Sequence, residues 1–262
     1  MNRFDEKIIK VLRDLKENHH VLGIKAGFEA EGTPLKEAMR LTNIAAMSGL
    51  DFAIKIGGCS ATKDLYDAQK AGANIIVAPM TESAYAVKKF VDATKIVYSE
   101  SELKNLTLLI TIETQTGYKN LEEIISAEEF QLIDGIVLGR TDMAESLHYP
   151  KTEINGSKIF EMAKTISQKM EKMEKLFIIG GKIDALSLPF FKSLPYLSGY
   201  ETRKIIFDAK NALASQQAEE GILKALEFEM EWLKNKQESF FPRQEDSARI
   251  KILESRYKKV QR

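Results

Sequence analysis

The sequence predicts a (β/α)8 barrel of the α/β class, followed by additional C-terminal helices, and three observations predict it. Short apolar, β-branched runs recur along the 262 residues, each ending in Gly, Pro or polar residues and leading into a longer stretch with helical spacing. Several runs (IIVAP, LLITI, GIVLG, LFIIG) are continuous apolar strings instead of alternating ones, the pattern of parallel strands covered on both faces. The chain length suits one barrel with a single large core.

Eight runs are the candidate strands: Val21 to Phe28, Asp51 to Ile56, Asn74 to Met80, Thr94 to Tyr98, Leu106 to Glu113, Ile133 to Gly139, Leu176 to Gly180 and Leu197 to Ile206. Thr94 to Tyr98 is the shortest argument of the set, and without it a seven-strand count leaves an open doubly wound sheet as the rival. Amphipathic stretches such as Leu35 to Ser48 and Ala61 to Ala71 supply the intervening helices. After the last run the pattern becomes helical over Ala209 to Gln237, with Ile222, Leu226, Met230 and Leu233 on one stripe. A second helix over Arg243 to Lys259 follows the break at Phe240, Phe241 and Pro242. The expected organisation is therefore a barrel with an N-terminal helix over residues 1–208 and a helical extension over 209–262. That extension either caps the barrel or swaps onto a neighbouring subunit, burying Trp232, Phe240 and Phe241 in a homo-oligomer.

Charge and cysteine content narrow the function. The 38 basic and 38 acidic residues cancel, so no net field draws the chain to nucleic acid or to an anionic membrane surface, and any anion must be bound locally. The single cysteine, Cys59, makes neither an internal disulfide nor a cysteine-based zinc site. Met1 to Lys16 alternates charge with Ile8, Ile9, Val11, Leu12 and Leu15 at helical spacing and lacks the apolar core of a signal peptide. No run approaches the roughly 18 to 20 apolar residues of a membrane span. A cytoplasmic location is expected, with no nucleic-acid or membrane partner.

In a barrel the active site forms at the C-terminal ends of the strands, so polar residues closing an apolar run carry the chemistry. LLITI closes with Glu113, Thr114, Gln115, Thr116 and Gly117, and GIVLG closes with Arg140, Thr141 and Asp142. Two carboxylates on neighbouring strand ends suit Mg²⁺ or Mn²⁺, which take one or two carboxylates and fill the remaining positions with substrate oxygens and water. Equally, spacing alone allows Glu113 and Asp142 to cap the helices that follow them.

The stretch Ile112-Glu-Thr-Gln-Thr-Gly-Tyr-Lys-Asn-Leu-Glu-Glu-Ile124, followed by Ile133-Asp-Gly-Ile-Val-Leu-Gly-Arg-Thr-Asp-Met143, resembles the paired motifs of the HpcH/HpaI aldolase and citrate lyase β-subunit superfamily. Upstream, Ile54-Lys-Ile-Gly-Gly58 and Ile75-Ile-Val-Ala-Pro-Met80 fall where that superfamily has its anion-binding strand end and its Pro-Met strand. The resemblance spans roughly residues 20 to 206. It implies a phosphoenolpyruvate/pyruvate-type barrel, with Glu113 and Asp142 as ligands of the divalent metal. The implied activity is aldol or retro-aldol cleavage of a small anionic 2-oxo acid through a pyruvate-like enolate, and the superfamily's cationic Arg is replaced by Lys55. Backbone N–H groups from Gly139, Arg140, Thr141 and Asp142 are placed to hold the substrate carboxylate.

The departures are equally specific. Gly139-Arg140-Thr141-Asp142 stands where the aldolase branch has Gly-Pro-Ala-Asp, which makes Arg140 a candidate for a second anionic group of the substrate or for a surface ion pair. Where that branch has a His–Asp dyad, this chain runs into Glu29-Ala-Glu31-Gly-Thr33, so Glu29 and Glu31 become the acid/base candidates. Lys182, after Gly180 and Gly181, together with Glu201 and Arg203, marks a second place where a phosphate or carboxylate can bind. Cys59 lacks an identifiable activating base, and His19, His20 and His148 read as surface residues. A citrate-lyase-like reaction on an acyl thioester and a non-catalytic metabolite-binding barrel are the alternative functions.

Overall fold

The computed structural model describes residues 3–239 and 244–260, whose eight strands close into a barrel in chain order. The elements are α1 (Arg3–His19), β1 (Val21–Gly27), α2 (Leu35–Ser48), β2 (Asp51–Lys55), α3 (Thr62–Ala71), β3 (Ile75–Ala78), α4 (Ala84–Val97), α5 (Glu100–Leu103) and β4 (Thr107–Ile112). There follow α6 (Gln115–Lys119), α7 (Leu121–Ser126), β5 (Gly135–Gly139), α8 (Arg140–Ser146), α9 (Ser157–Lys172), β6 (Leu176–Gly180), α10 (Leu188–Lys192), β7 (Gly199–Glu201) and β8 (Ile205–Asp208). The chain ends with α11 (Ala209–Ala214), α12 (Ala218–Ser239) and α13 (Gln244–Val260). Among the described residues no helix is long and apolar enough to cross a membrane.

The count of eight strands stands, but two of its members differ from the sequence expectation. Thr94 to Tyr98 is the end of α4 and not a strand. Ser83 caps that helix by accepting a hydrogen bond from the Ala86 N–H, and Val87, Phe90, Val91, Thr94 and Val97 form one buried stripe at helical spacing. The Thr94 hydroxyl donates back to the Val91 carbonyl at 2.8 Å, so its β-branched character is absorbed by the helix. Conversely, Leu197 to Ile206 holds two strands. Its polar centre, Thr202-Arg203-Lys204, forms a tight turn in which the Thr202 N–H donates to the Ile205 carbonyl at 2.9 Å and the Ile205 N–H donates to the Thr202 hydroxyl at 3.1 Å. Strand β8 therefore runs antiparallel to both β7 and β1, while β1 to β7 pair in parallel.

This reversal decides where the C-terminal helices go. Since β8 descends, α11 starts at the floor of the barrel, beside the end of α1. Helix α12 then climbs antiparallel to α1: Gly221 meets His19, Lys224 pairs with Asp14 at 2.7 Å and Glu231 with Lys7 at 2.8 Å. At the upper end Trp232 is fully buried, its indole N–H donating to Glu37 at 3.0 Å, with the Arg40 guanidinium 5.0 Å from its ring centre. Trp232 is thus buried in its own chain, so of the two alternatives for this residue the structure gives the capping one; Phe240, Phe241 and Pro242 lie outside the described residues. Helix α13 returns along the rim of the mouth, where the Arg249 guanidinium grips Glu229 at 2.6 and 2.9 Å and Arg256 donates to the Ile183 carbonyl at 2.5 Å.

Two apolar layers hold this frame. The larger lies between strands and helices. The smaller is a plug inside the barrel, made of Val77, Leu109, Val137 and Ile178 with Ile75 against it. Ile75 and Val77 lie two positions apart on β3, and β4, β5 and β6 contribute one residue each, all on the inward face of the pleat. At about 1.5–3 kcal/mol per buried aliphatic side chain, the plug is a substantial part of what closes the barrel.

His19 is buried, contrary to the surface position expected for it, and neither ring nitrogen has a hydrogen-bond partner. Burial and then the Lys224 charge push its pKa below the usual value, and Asp14 and Glu220 offset only part of this. The unfolded chain therefore binds the imidazole proton more readily than the folded one, so stability falls as pH drops through about 6.5. The urea midpoint of the wild type should drop between pH 7 and 5, and His19→Leu should flatten that slope; identical slopes would assign it elsewhere. Truncating Trp232 to Ala should destabilise the fold by about 3–5 kcal/mol in urea titration without changing the mass seen by light scattering. A mass change with unaltered stability would return Trp232 to a subunit interface.

Candidate active site

The mouth is built from inward-facing residues at the ends of β1, β2, β4 and β7. Glu113 follows β4 and is 3% exposed. Its carboxylate accepts from Lys55 Nζ at 3.0 Å on each oxygen, and Oε1 also accepts from the Thr111 hydroxyl at 2.7 Å and the Met80 N–H at 3.0 Å. The Met80 N–H reaches it because Met80 adopts a left-handed φ of 49°, a conformation that costs a side-chain-bearing residue about 1–3 kcal/mol. The backbone after β3 is thus bent to aim a donor at Glu113. The helix-capping alternative for Glu113 does not hold, because Thr114 caps α6 by accepting from the Gly117 N–H at 3.0 Å.

Asp142 lies in the first turn of α8, with its carboxyl within hydrogen-bond reach of Glu113. As a residue it is exposed, yet its carboxyl is crowded on the side facing Glu113. Burial, then the Glu113 charge, push its pKa above the usual carboxylate range, with Lys55 offsetting part. Burial also acts to raise Glu113, but the Lys55 charge, the Thr111 hydroxyl and the Met80 N–H outweigh it and hold Glu113 low. Two acids side by side, one favouring its proton, form a hard-oxygen pair whose repulsion a divalent cation would relieve. The donor set therefore fits Mg²⁺ or Mn²⁺, with Glu113 and Asp142 as the protein ligands. Among the described residues no group of three or more His, Cys, Asp or Glu side chains is placed to hold a metal, so water and substrate oxygens would complete the coordination.

Glycines let the acidic side chains lie close against the neighbouring strands. Gly139 and Gly180 are register partners on β5 and β6. A Cβ on Gly139 would lie 2.7 Å from Glu113 Oε2, and one on Gly180 would lie 3.2 Å from Glu201 Oε1. Gly181, at φ 91°, presses against the start of α8, where any side chain would meet the Thr141 N–H at 2.7 Å. Thr141 and Gly139 thus border the open space, and Lys182 is exposed on the rim.

Arg140 is the correction. Its side chain is fully buried and stacks on Phe190 and Phe191, with the guanidinium carbon 5.2 and 4.9 Å from the ring centres. It donates to the Gly180 carbonyl at 3.2 Å, the Gly181 carbonyl at 2.8 Å and the Asn155 side chain. Its donors bind protein, so it ties α8 to the end of β6 and does not reach a substrate. Glu29 and Glu31 both come to the mouth: Glu31 folds over Gly27, and Glu29 lies over Gly57. They differ in what holds them. Glu31 pairs with Lys204 and lies 3.7 Å from Arg203, whereas Glu29 is exposed. Cys59 approaches the Pro79 carbonyl at 3.4 Å, and burial raises its thiol pKa, which favours the thiol over the thiolate. His148 is exposed, as expected.

Four mouth residues were absent from the sequence reading: Lys25, Thr111, Lys204 and Asp64. Lys25 forms a buried ion pair with Glu201, Lys204 is the partner of Glu31, and Asp64 accepts from the Gly57 N–H at 2.7 Å. Lys25 had a signal, since it is the one charge in the run VLGIKAG and alternates with Gly23 and Gly27.

Replacing Arg140 by Met should destabilise the fold by on the order of 2–3 kcal/mol in urea titration, the loss of charge-assisted hydrogen bonds to buried carbonyls. Wild-type stability with weakened anion binding would restore Arg140 to the substrate site.

Comparison with known proteins places the site in context. The model of the HpcH/HpaI aldolase/citrate lyase family matches residues 40–177, more than half of the chain. No curated protein sequence matches. Among solved structures, the HpcH/HpaI aldolase of Desulfitobacterium hafniense DCB-2 superposes with a TM-score of 0.60 at 11% identity, over 77% of this chain and 83% of that one. The citrate synthase SbnG gives 0.59 at 13% identity over 74% and 81%. An HpcH/HpaI aldolase/citrate lyase family protein of Burkholderia cenocepacia J2315 gives 0.57 at 11% identity over 81% and 98%. At these identities the structures speak for the barrel alone; the family match carries the assignment, and the chain belongs to the HpcH/HpaI aldolase/citrate lyase family.

Proposed function

We propose that the chain is a divalent-metal-dependent carbon–carbon lyase of aldolase type, acting on a small anionic 2-oxo acid through a pyruvate-like enolate, with Mg²⁺ or Mn²⁺ held by Glu113 and Asp142. The observation that carries this reading is the pair of facing carboxylates, one held low and the other pushed up, beside Gly139 and Gly180, where no side chain stands between them and the neighbouring strand ends. Family membership supports the lyase class.

Bound there, the cation would chelate the substrate's carboxylate and oxo oxygens and stabilise the negative charge that grows as the carbon–carbon bond breaks. The chain's own residues set up the rest. Thr111 and Met80 fix the orientation of Glu113 through two hydrogen bonds to one oxygen, which leaves the other facing the open space beside Gly139. Lys55 bridges both Glu113 oxygens and has a third N–H for the substrate oxo group. As a Lys it offers a point charge where Arg would offer a fork, so it polarises without imposing a plane. The N–H groups at the start of α8, bordered by Thr141 and Gly181, face the substrate carboxylate. Glu29 is the carboxylate free to move the proton, since Lys204 and Arg203 engage Glu31.

Metal-dependent exchange of pyruvate methyl protons in D₂O, followed by NMR, tests this without the natural substrate. The wild type should exchange with Mg²⁺ or Mn²⁺, and Glu113→Gln and Asp142→Asn should each lower the rate by about 100-fold or more. Glu29→Gln should lower it while Glu31→Gln changes it less. A wild type that binds pyruvate and metal but never exchanges would overturn the lyase reading in favour of a metabolite-binding barrel.

A further inference from the structure

The mouth contains a second lysine–glutamate pair that the proposed chemistry does not use. Lys25 on β1 is bonded to Glu201 at the end of β7, with side chains 13% and 7% exposed. The tight β7–β8 turn fixes both partners, because it follows Glu201 directly and its Lys204 carbonyl accepts the Lys25 N–H at 2.8 Å. Stability does not account for such a pair. Desolvating two charges costs about as much as their attraction returns, and apolar replacement of a buried pair is often neutral or stabilising.

Its position points to a ligand. Glu201 Oε1 borders Gly180 and Glu113 Oε2 borders Gly139, and the two glycines are register partners. The two ion pairs therefore flank one bare patch, the carboxylate pair for a metal on one side and Lys25 on the other. Among the described residues the Lys25 ammonium, with three donors, has Glu201 as its partner. The remaining N–H groups are satisfied by water or by an incoming acceptor.

We infer that Lys25, positioned by Glu201, is a specificity-determining residue that binds a second anionic group, carboxylate or phosphonate/phosphate, carried by the 2-oxo acid at the end remote from the metal. The inference rests on the proposed function for the placement of the first end. Glu201 holds the ammonium in place between ligands and competes with the incoming anion, so its charge tunes the affinity downward.

Calorimetry on the full chain with Mg²⁺ tests this using three probes of matched reach: 2-oxopentanoate, 2-oxoglutarate and 2-oxo-4-phosphonobutyrate. The wild type should favour at least one doubly anionic probe over 2-oxopentanoate by about tenfold or more, the size of one charge-assisted hydrogen bond. The relative affinity of the two favoured probes tells carboxylate from phosphonate. Lys25→Met should abolish the preference while 2-oxopentanoate still binds. Glu201→Gln should raise it, and this opposite sign is one that a merely structural pair would not give, even if Lys25→Met folds poorly. Equal binding of all three probes by the wild type, or a preference that survives Lys25→Met, overturns the role of Lys25 alone. If none of the probes binds with metal, the proposed function falls, and this inference falls with it.

Discussion

A barrel closes only when its last strand satisfies the free edges of both its first and its penultimate strands, and here a descending strand meets that demand. Strand β8 follows β7 through the short Thr202-Arg203-Lys204 turn and pairs antiparallel on both sides. No crossover helix is needed between them, because an antiparallel neighbour can be reached by a hairpin where a parallel one requires a long return. Everything at the C-terminus follows from that direction. The chain emerges at the floor, α12 must climb the outside to bury its apolar stripe, and α13 arrives at the rim beside the mouth. The same turn delivers Glu201, Arg203 and Lys204 to the mouth and supplies the carbonyl that fixes Lys25.

Within the mouth, charge is managed by pairing opposite signs across neighbouring strand ends: Lys55 with Glu113, Lys25 with Glu201, Lys204 with Glu31. Asp142 has no ion pair among the described residues, and burial with the neighbouring Glu113 charge raises its pKa. A carboxyl so placed can lower its energy by keeping a proton or by sharing a cation with Glu113. By charge as well as by donor type, such a pair suits a hard divalent ion. The arrangement also explains how the mouth holds three ion pairs above an apolar plug: in each, the partners come from different segments of the chain, and barrel closure brings them together.

The parts of this structure that were readable in the sequence are those encoded locally. Continuous apolar strings announced β3, β4, β5 and β6, and the acids closing two of them announced Glu113 and Asp142. What local pattern could not resolve was direction. Leu197 to Ile206 contains two strands whose antiparallel course depends on three polar residues at its centre, and Thr94 to Tyr98 has a strand's composition inside a helix whose buried stripe starts seven residues earlier. Arg140 was misplaced for a related reason. A charged residue close to a candidate metal ligand reads as substrate-binding, and only the tertiary packing of Phe190, Phe191 and the Gly180 and Gly181 carbonyls shows that its donors are satisfied by protein. The left-handed turn at Met80 has no signature at all, because a methionine gives no hint of positive φ; it exists because two hydrogen bonds to Thr111 and Glu113 over-determine it.

That turn illustrates how stability and chemistry divide this molecule. The strained turn at Met80, the facing acids and the Lys55–Glu113, Lys25–Glu201 and Lys204–Glu31 pairs gather at one end of the barrel. The plug of Val77, Leu109, Val137 and Ile178 and the helix-facing core occupy the remainder. Strain of about 1–3 kcal/mol at one residue is bearable only where several buried aliphatic side chains, each contributing a comparable amount, stabilise the same strands. The strands that carry Glu113 and the Met80 turn, β4 and β3, are also the ones that contribute Leu109 and Val77 to the plug. The groups held in a costly geometry are thus mounted on strands that also carry plug residues beneath them.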